Sequence, residues 1–124
     1  MRKFNATTLG YVGELCRYLI DQPPSPRDRD NRVVKMIGNG LRPGVWGPFK
    51  ERFGVEHICD LYAASDGNIG FTNVLNFDNT IGFSLMHWAL VDYAHDTCEP
   101  IRGSNGFMRE VQKGGQGLLL ARID

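Results

Sequence analysis

The stretch Arg32-Val33-Val34-Lys35-Met36-Ile37-Gly38-Asn39-Gly40 leads through Pro43, Trp46, Phe49, Phe53 and Gly54 to His57-Ile58-Cys59-Asp60-Leu61-Tyr62. It begins as an apolar, β-branched run over Arg32 to Ile37, which predicts a short strand stopped by Gly38-Asn39-Gly40. Pro43 stands where a first helical residue would, and its fixed φ suits that place. Trp46, Phe49 and Phe53 then recur at helical steps, and Gly54 is placed to cap the end. A second strand is expected from His57 to Tyr62. Strand, helix and strand within about 30 residues form a βαβ unit, whose strands run parallel. Gly40 and Ala63 should then lie at the same edge of one sheet, next to each other.

Upstream, residues 8–20 read as an amphipathic helix. Leu9, Val12, Cys16 and Leu19 recur at three- and four-residue steps, and Thr7 or Thr8 is available as its cap. Pro23-Pro24 ends it, and the loop to Asn31, with Arg27-Asp28-Arg29-Asp30, reads as solvated charge. Downstream the pattern turns to antiparallel β. Trp88, Leu90, Val91 and Tyr93 suggest a strand, and Asp96-Thr97 a turn. Phe107 to Val111 and Leu118 to Ile123 read as a hairpin about Lys113-Gly114-Gly115. The expected class is α/β: a βαβ unit with parallel strands, followed by an antiparallel β-rich subdomain. The division falls at residues 1–70 and 71–124. Two parallel strands alone are rare, because a parallel sheet needs both faces covered. With a helix first and no strand before it, this predicts one incomplete domain, a piece of a larger one.

The 14 basic residues balance the 14 acidic ones. Bulk charge therefore gives no reason to expect nucleic acid or an anionic membrane as partner. Three widely spaced cysteines, Cys16, Cys59 and Cys98, form neither a disulfide framework nor a zinc knuckle, which points to reduced thiols in a cytoplasmic setting. Met1 to Asn5 does not read as a signal peptide, and no apolar run approaches the roughly 20 residues that span a bilayer.

Two stretches gather groups fit for chemistry. Gly38-Asn39-Gly40-Leu41-Arg42-Pro43-Gly44 follows a strand and precedes a helix, so its backbone can approach a phosphate or a flat ring. It is neither the dinucleotide fingerprint nor a P-loop, and a tight turn capping the helix explains it as well. Tyr62-Ala63-Ala64-Ser65-Asp66-Gly67-Asn68 offers a ring to stack on a base, a hydroxyl for a phosphoryl oxygen and a carboxylate for Mg2+. It reads equally as a strand end with an Asp-Gly turn. His57, His87 and His95 show no metal-ligand spacing, and Cys59 reads as a small core residue.

Three blocks together resemble one family. They are Thr7-Thr8-Leu9-Gly10-Tyr11-Val12-Gly13-Glu14-Leu15-Cys16-Arg17-Tyr18-Leu19, Ile37-Gly38-Asn39-Gly40-Leu41-Arg42-Pro43 with Trp46, and Leu61-Tyr62-Ala63-Ala64-Ser65-Asp66-Gly67-Asn68. In that order, and with Gly114-Gly115-Gln116-Gly117-Leu118-Leu119 downstream, they are similar to the fatty-acid transport protein and very-long-chain acyl-CoA synthetase family of adenylate-forming ligases. The resemblance implies an internal part of the large N-terminal domain of such an enzyme, with fatty acid, ATP, Mg2+ and CoA as its substrates and cofactors. It places the adenine platform at Gly38, Asn39 and Gly40, with Tyr62 on the other side of the ring and Ala63 narrowing the approach to the nucleotide. It makes Ser65 the phosphoryl contact and Asp66 the catalytic carboxylate that holds the metal. Ser65 stands where the motif usually has threonine, Asp66 where it has glutamate, and Ala63 where it often has glycine. The shorter Asp66 withdraws the carboxylate by about 1.5 Å. The acyl chain would pass near Tyr11 and Gly13. The family's phosphate loop with its lysine, and its ribose-binding aspartate, are not among these residues, so the 124 residues alone are expected to be inactive. A non-catalytic interaction module and an unrelated small nucleotide-binding α/β protein are the other classes the residues allow. Membrane association of a longer protein stays open.

Overall fold

The computed structural model describes residues 1–65 and 67–123. The chain divides into two compact units. The first holds Met1–Ala63 and Gly70–Ser84, and the second holds Ala64–Ile69 and the residues from Leu85 onward.

The first unit is a four-stranded sheet in the order β1 (Thr8–Val12), β2 (Lys35–Asn39), β3 (His57–Ala63) and β4 (Gly70–Thr72). The first three strands are parallel, and β4 returns antiparallel along β3. Helix α1 (Gly13–Ile20) connects β1 to β2, and α2 (Pro43–Phe53) connects β2 to β3. The α/β class and the parallel βαβ unit hold. Pro43 opens α2 as expected, and Gly54 closes it with φ 70° and its N–H on the Lys50 carbonyl.

One expectation is overturned. Residues 8–20 are not a single helix: Thr8–Val12 is a strand, and the helix starts at Gly13. Leu9 and Val12 fit a helical stripe, but Leu9 and Tyr11 also alternate inward against Thr8, Gly10 and Val12. Pairing with β2 satisfies the backbone and decides between the two periods. The cap is then Val12, with no side-chain bond, and neither Thr7 nor Thr8 caps the helix. The unit thus has three parallel strands in two successive βαβ units, and a strand does precede the first helix. The second strand also lies later than expected, at Lys35–Asn39. Val33 is buried, but its N–H is taken by the Asn31 side chain and that of Val34 by the Thr7 carbonyl, outside the ladder.

Both helices cover one face of the sheet. Tyr11, Met36 and Ile58 from the strands meet Cys16, Trp46 and Phe49 from the helices in one buried core. The opposite face is open: Val12 and Ile37 are more than half exposed. The charged loop is less solvated than its composition suggests. Arg52 of α2 donates to the carbonyls of Ile20, Gln22 and Pro23 at 2.7, 2.8 and 2.9 Å, closing the end of α1, and pairs with Asp28 at 2.8 Å. Backbone bonding from Ser25, then Arg52, holds the Asp28 carboxyl below its ordinary range. Beyond β4, Asp78 accepts from Trp46 Nε1 and Lys50 Nζ and ties that loop to α2. Asn76 fixes the same loop to β3, accepting from the Ile58 N–H and donating to the Glu56 carbonyl.

In the second unit β5 (Trp88–Val91) pairs antiparallel with β6 (Leu118–Ala121). The expected hairpin is corrected here. The turn at 112–115 is present, with the Gly115 N–H on the Gln112 carbonyl, but its two arms do not pair with each other. Leu118 faces Val91, and Glu110 reaches Val91 only by an isolated bridge. Strand β5 satisfies both arms, which a local hairpin pattern cannot reveal. Among the described residues, no helix is long and apolar enough to cross a membrane.

Candidate functional site

The carboxyl end of the parallel strands is built in two rows. Register sets the first: Tyr11 lies opposite Gly38, and Gly38 opposite Asp60. Residues in register on parallel strands point to the same face, here the helix-covered one. Tyr11 and Asp60 are 7% and 2% exposed, and the Tyr11 hydroxyl donates to Asp60 Oδ1 at 2.7 Å. The ring crosses β2 at Gly38, where a Cβ would sit 2.8 Å from Tyr11 Cδ1 and 2.0 Å from the Tyr11 carbonyl oxygen. No other residue fits there. Burial first, and the Asp60 bond second, push the Tyr11 phenol upward, so it stays a protonated donor. The same burial raises the Cys16 thiol to about 11, with Asp60 adding to it.

The second row lies one step further out. Asn39 faces Leu61, and Gly40 follows with φ 74° and an exposed backbone. Gly13, the first residue of α1, packs so closely that a Cβ on it would come within 1.7 Å of the Gly40 carbonyl oxygen. On β3, Tyr62 is 44% exposed, with its ring tilted against Phe71 at 6.2 Å between centroids. Ala63 is exposed and pairs with Gly70. Gly40 and Ala63 thus end neighbouring strands at one edge. The glycine turn and the half-exposed Tyr62 ring leave a shelf of backbone that a flat ring can approach.

Of the residues singled out in the sequence, Gly38, Asn39, Gly40, Tyr62 and Ala63 come together at this edge. The space a side chain would need at Gly38 is filled by Tyr11, so the open backbone is that of Asn39 and Gly40. Ser65 belongs to the second unit, exposed in a turn that the Gly67 N–H closes on the Ala64 carbonyl at 3.1 Å. Asp66 lies outside the described residues. Tyr11 and Gly13, suggested as neighbours of an acyl chain, are both buried. The buried Tyr11–Asp60 bond was missed. Its signal was present: an aspartate two residues after Ile58, at a core-facing position of an apolar strand. Among the described residues, no three potential metal ligands cluster. A cavity of about 460 Å3 at the far end of α1 is lined by Leu19, Gln22, Asp28, Arg52 and Phe53, but Arg52 there is fully engaged in holding the chain.

Parallel strands ending in a glycine turn and an exposed aromatic ring define an α/β protein of the kind that binds ligands beyond the carboxyl ends of its strands. Comparison with known proteins narrows this. The chain is 48% identical over 119 residues to a medium/long-chain-fatty-acid–CoA ligase, FadD6, of Mycobacterium tuberculosis. It is 42% identical over 128 residues to long-chain fatty acid transport protein 2 of Rattus norvegicus, and 37% identical over 129 residues to long-chain fatty acid transport protein 6 of Homo sapiens. These matches cover 96%, 98% and 99% of this chain, but only 20%, 21% and 21% of the relatives. No family model matches. The chain is homologous to one segment, about a fifth of the length, of the fatty-acid–CoA ligases and long-chain fatty acid transport proteins.

Proposed function

We propose that these residues supply the adenine-facing side of an ATP-dependent long-chain fatty acyl-CoA ligase. The observation that carries the proposal is the shelf of Asn39 and Gly40 beside the exposed Tyr62, in a chain homologous along almost its whole length to fatty-acid–CoA ligases. An adenine ring lies flat on the backbone at Asn39 and Gly40, Tyr62 closes on its other side, and Ala63 borders the approach. Stacking on one aromatic ring contributes on the order of 1–3 kcal/mol. Further along the chain, Ser65 donates its hydroxyl to a phosphoryl oxygen, and Asp66 is the group that would hold Mg2+. When bound, the metal neutralises phosphate charge.

The proposed reaction has two steps. A fatty-acid carboxylate oxygen bonds to the α-phosphorus of ATP, and the bond to pyrophosphate breaks. The CoA thiol then attacks the acyl carbon, and AMP leaves with the bonding electrons. The protein's part is positioning and charge neutralisation. The lysine-bearing phosphate loop and the ribose-binding aspartate belong, by the family resemblance, to regions outside these 124 residues. The chain by itself therefore binds nucleotide without completing ligation. We place the reaction in the cytoplasm or on a membrane that faces it, with no nucleic acid involved.

Calorimetric titration of the chain with Mg-ATP is expected to show binding that weakens about tenfold in Tyr62→Ala and also in Asp66→Ala. Tight binding unchanged by either substitution would remove the assignment. Pyrophosphate release from ATP and palmitate is expected to stay at background, and sustained turnover would overturn the statement that the chain is inactive alone.

A further inference from the structure

The Tyr11–Asp60 bond joins two strands that do not touch. Neighbouring strands lie about 4.8 Å apart, so β1 and β3 are separated by roughly 10 Å, with β2 between them. A tyrosine reaching an aspartate across a glycine spans that gap, and the 2.7 Å contact shows that it does. The bond sits just inside the edge: Gly38 lies two residues before Gly40, where φ turns positive, and Asp60 lies two residues before Tyr62 on the same face of β3.

Energy alone does not explain the pair. An aspartate 2% exposed to solvent is costly to bury. Replacing both partners of such a bond with apolar groups of similar shape is commonly neutral or stabilising. What the polar pair adds is direction, since a hydrogen bond fixes the angle and separation of its two ends and an apolar contact does not.

We infer that Tyr11 and Asp60 are a positioning pair: their bond across Gly38 ties β1 to β3 over β2, and so holds the ends of β2 and β3 in the alignment that sets the Asn39–Gly40 backbone beside Tyr62. The role assigned to that edge as a nucleotide shelf rests on the proposed function; the locking itself does not. Neither residue reaches the edge. Each acts through its strand, and the lock needs the acceptor oxygen rather than the negative charge.

The test uses the chain as it stands and three variants: Tyr11→Phe, the double variant Tyr11→Phe with Asp60→Leu, and Asp60→Asn. Amide hydrogen exchange is read at Asn39 and Tyr62 near the edge and at Met36 and Ile58 inside the sheet, together with the unfolding midpoint and ATP affinity. In the double variant the midpoint is expected to equal or exceed that of the parent chain. Its Asn39 and Tyr62 amides should nevertheless exchange about tenfold faster, while Met36 and Ile58 keep their rates. Tyr11→Phe should show the same contrast. Asp60→Asn, which keeps the Oδ1 acceptor, should restore the edge to within twofold. Equal acceleration at all four amides, or none at the edge, would overturn the inference and reduce the pair to a packing element. ATP affinity separates the two ideas. Edge acceleration in a chain that binds no ATP upholds the lock and removes the nucleotide shelf. ATP bound equally by the parent and double variant, with no edge acceleration, keeps the shelf and removes the lock.

Discussion

Residues 8–63 repeat one rule, strand then helix then strand, and each return lays a strand beside the last with the helix on the same face. Residues 85–123 hold two four-residue strands joined through loops, with single bridges such as Tyr93 to Pro100 and Arg102 to Met108 along the way. The first region buries Trp46, Phe49, Met36 and Ile58 almost completely; in the second, only Val91 is that deeply buried among the described residues. The first region draws its order from side-chain packing, the second from turns and backbone bonds. That contrast predicts where substitutions hurt.

Trp46→Ala removes a ring that is 1% exposed, along with its indole bond to Asp78, and should destabilise the first unit by about 3–5 kcal/mol. Val91→Ala in the second unit should cost about 2 kcal/mol. Urea unfolding, followed by region-resolved hydrogen exchange, gives both numbers. Equal costs would break the contrast between a packed and a turn-built region.

Glycine substitutions sharpen it. Gly38→Ala forces a methyl against the Tyr11 carbonyl and ring, and about 3 kcal/mol is expected. Gly114→Ala meets open space and strains only a φ of 86°, for about 1 kcal/mol. Thermal midpoints of the two variants, compared with the parent chain, check the order; a milder loss at Gly38 would contradict the row across the sheet.

How much of this could be read from the chain follows the same division. Pro43, Trp46, Phe49, Phe53 and Gly54 are local signals, and the helix they predict is present with its ends in place. The turn at 112–115 was equally local and equally legible. Pairing partners were not: whether Leu118 faces Val111 or Val91 depends on contacts nearly 30 residues apart. The same dependence on a distant partner governs Thr8 to Val12. Leu9 and Val12 fit either period, and only the presence of β2 as a partner settles it. At the edge, Gly38 to Gly40 and Tyr62 were visible as candidates. The covering of Gly38 by Tyr11 was not, because it requires the register of three strands at once.

Burial in the first unit also sets its response to alkali. The Cys16 thiol is raised from 9.0 to about 11 in a site 1% exposed. Between those values the unfolded chain loses its proton and the folded chain keeps it. Stability is therefore full below pH 9 and falls by about 2–3 kcal/mol as pH rises to 11. Cys16→Ala should lose that part of the slope, although Tyr11 adds its own above pH 10. A parent chain with flat stability over this range would show that the site admits water.

The smallest effect is expected at the acid end. Asp28, held low by the Ser25 N–H and Arg52, and Asp78, held low first by Lys50, both lie in the first unit. A depressed carboxyl contributes stability above its ordinary value of 3.8 and loses it as pH falls through the lowered one. The slope should thus begin just below pH 4 and continue downward. It should be shallow, because Asp78 is half exposed in its pair with Lys50, and the better covered Arg52–Asp28 pair still keeps part of its surface in water and salt. Asp28→Asn at low ionic strength tests it best, since Arg52 also closes α1 through three carbonyls that the substitution leaves in place. If the acid slope of the first unit is unchanged in that variant, the charge on Asp28 contributes nothing measurable, and the carbonyl bonds of Arg52, Arg29 and Asn31 hold the loop without it.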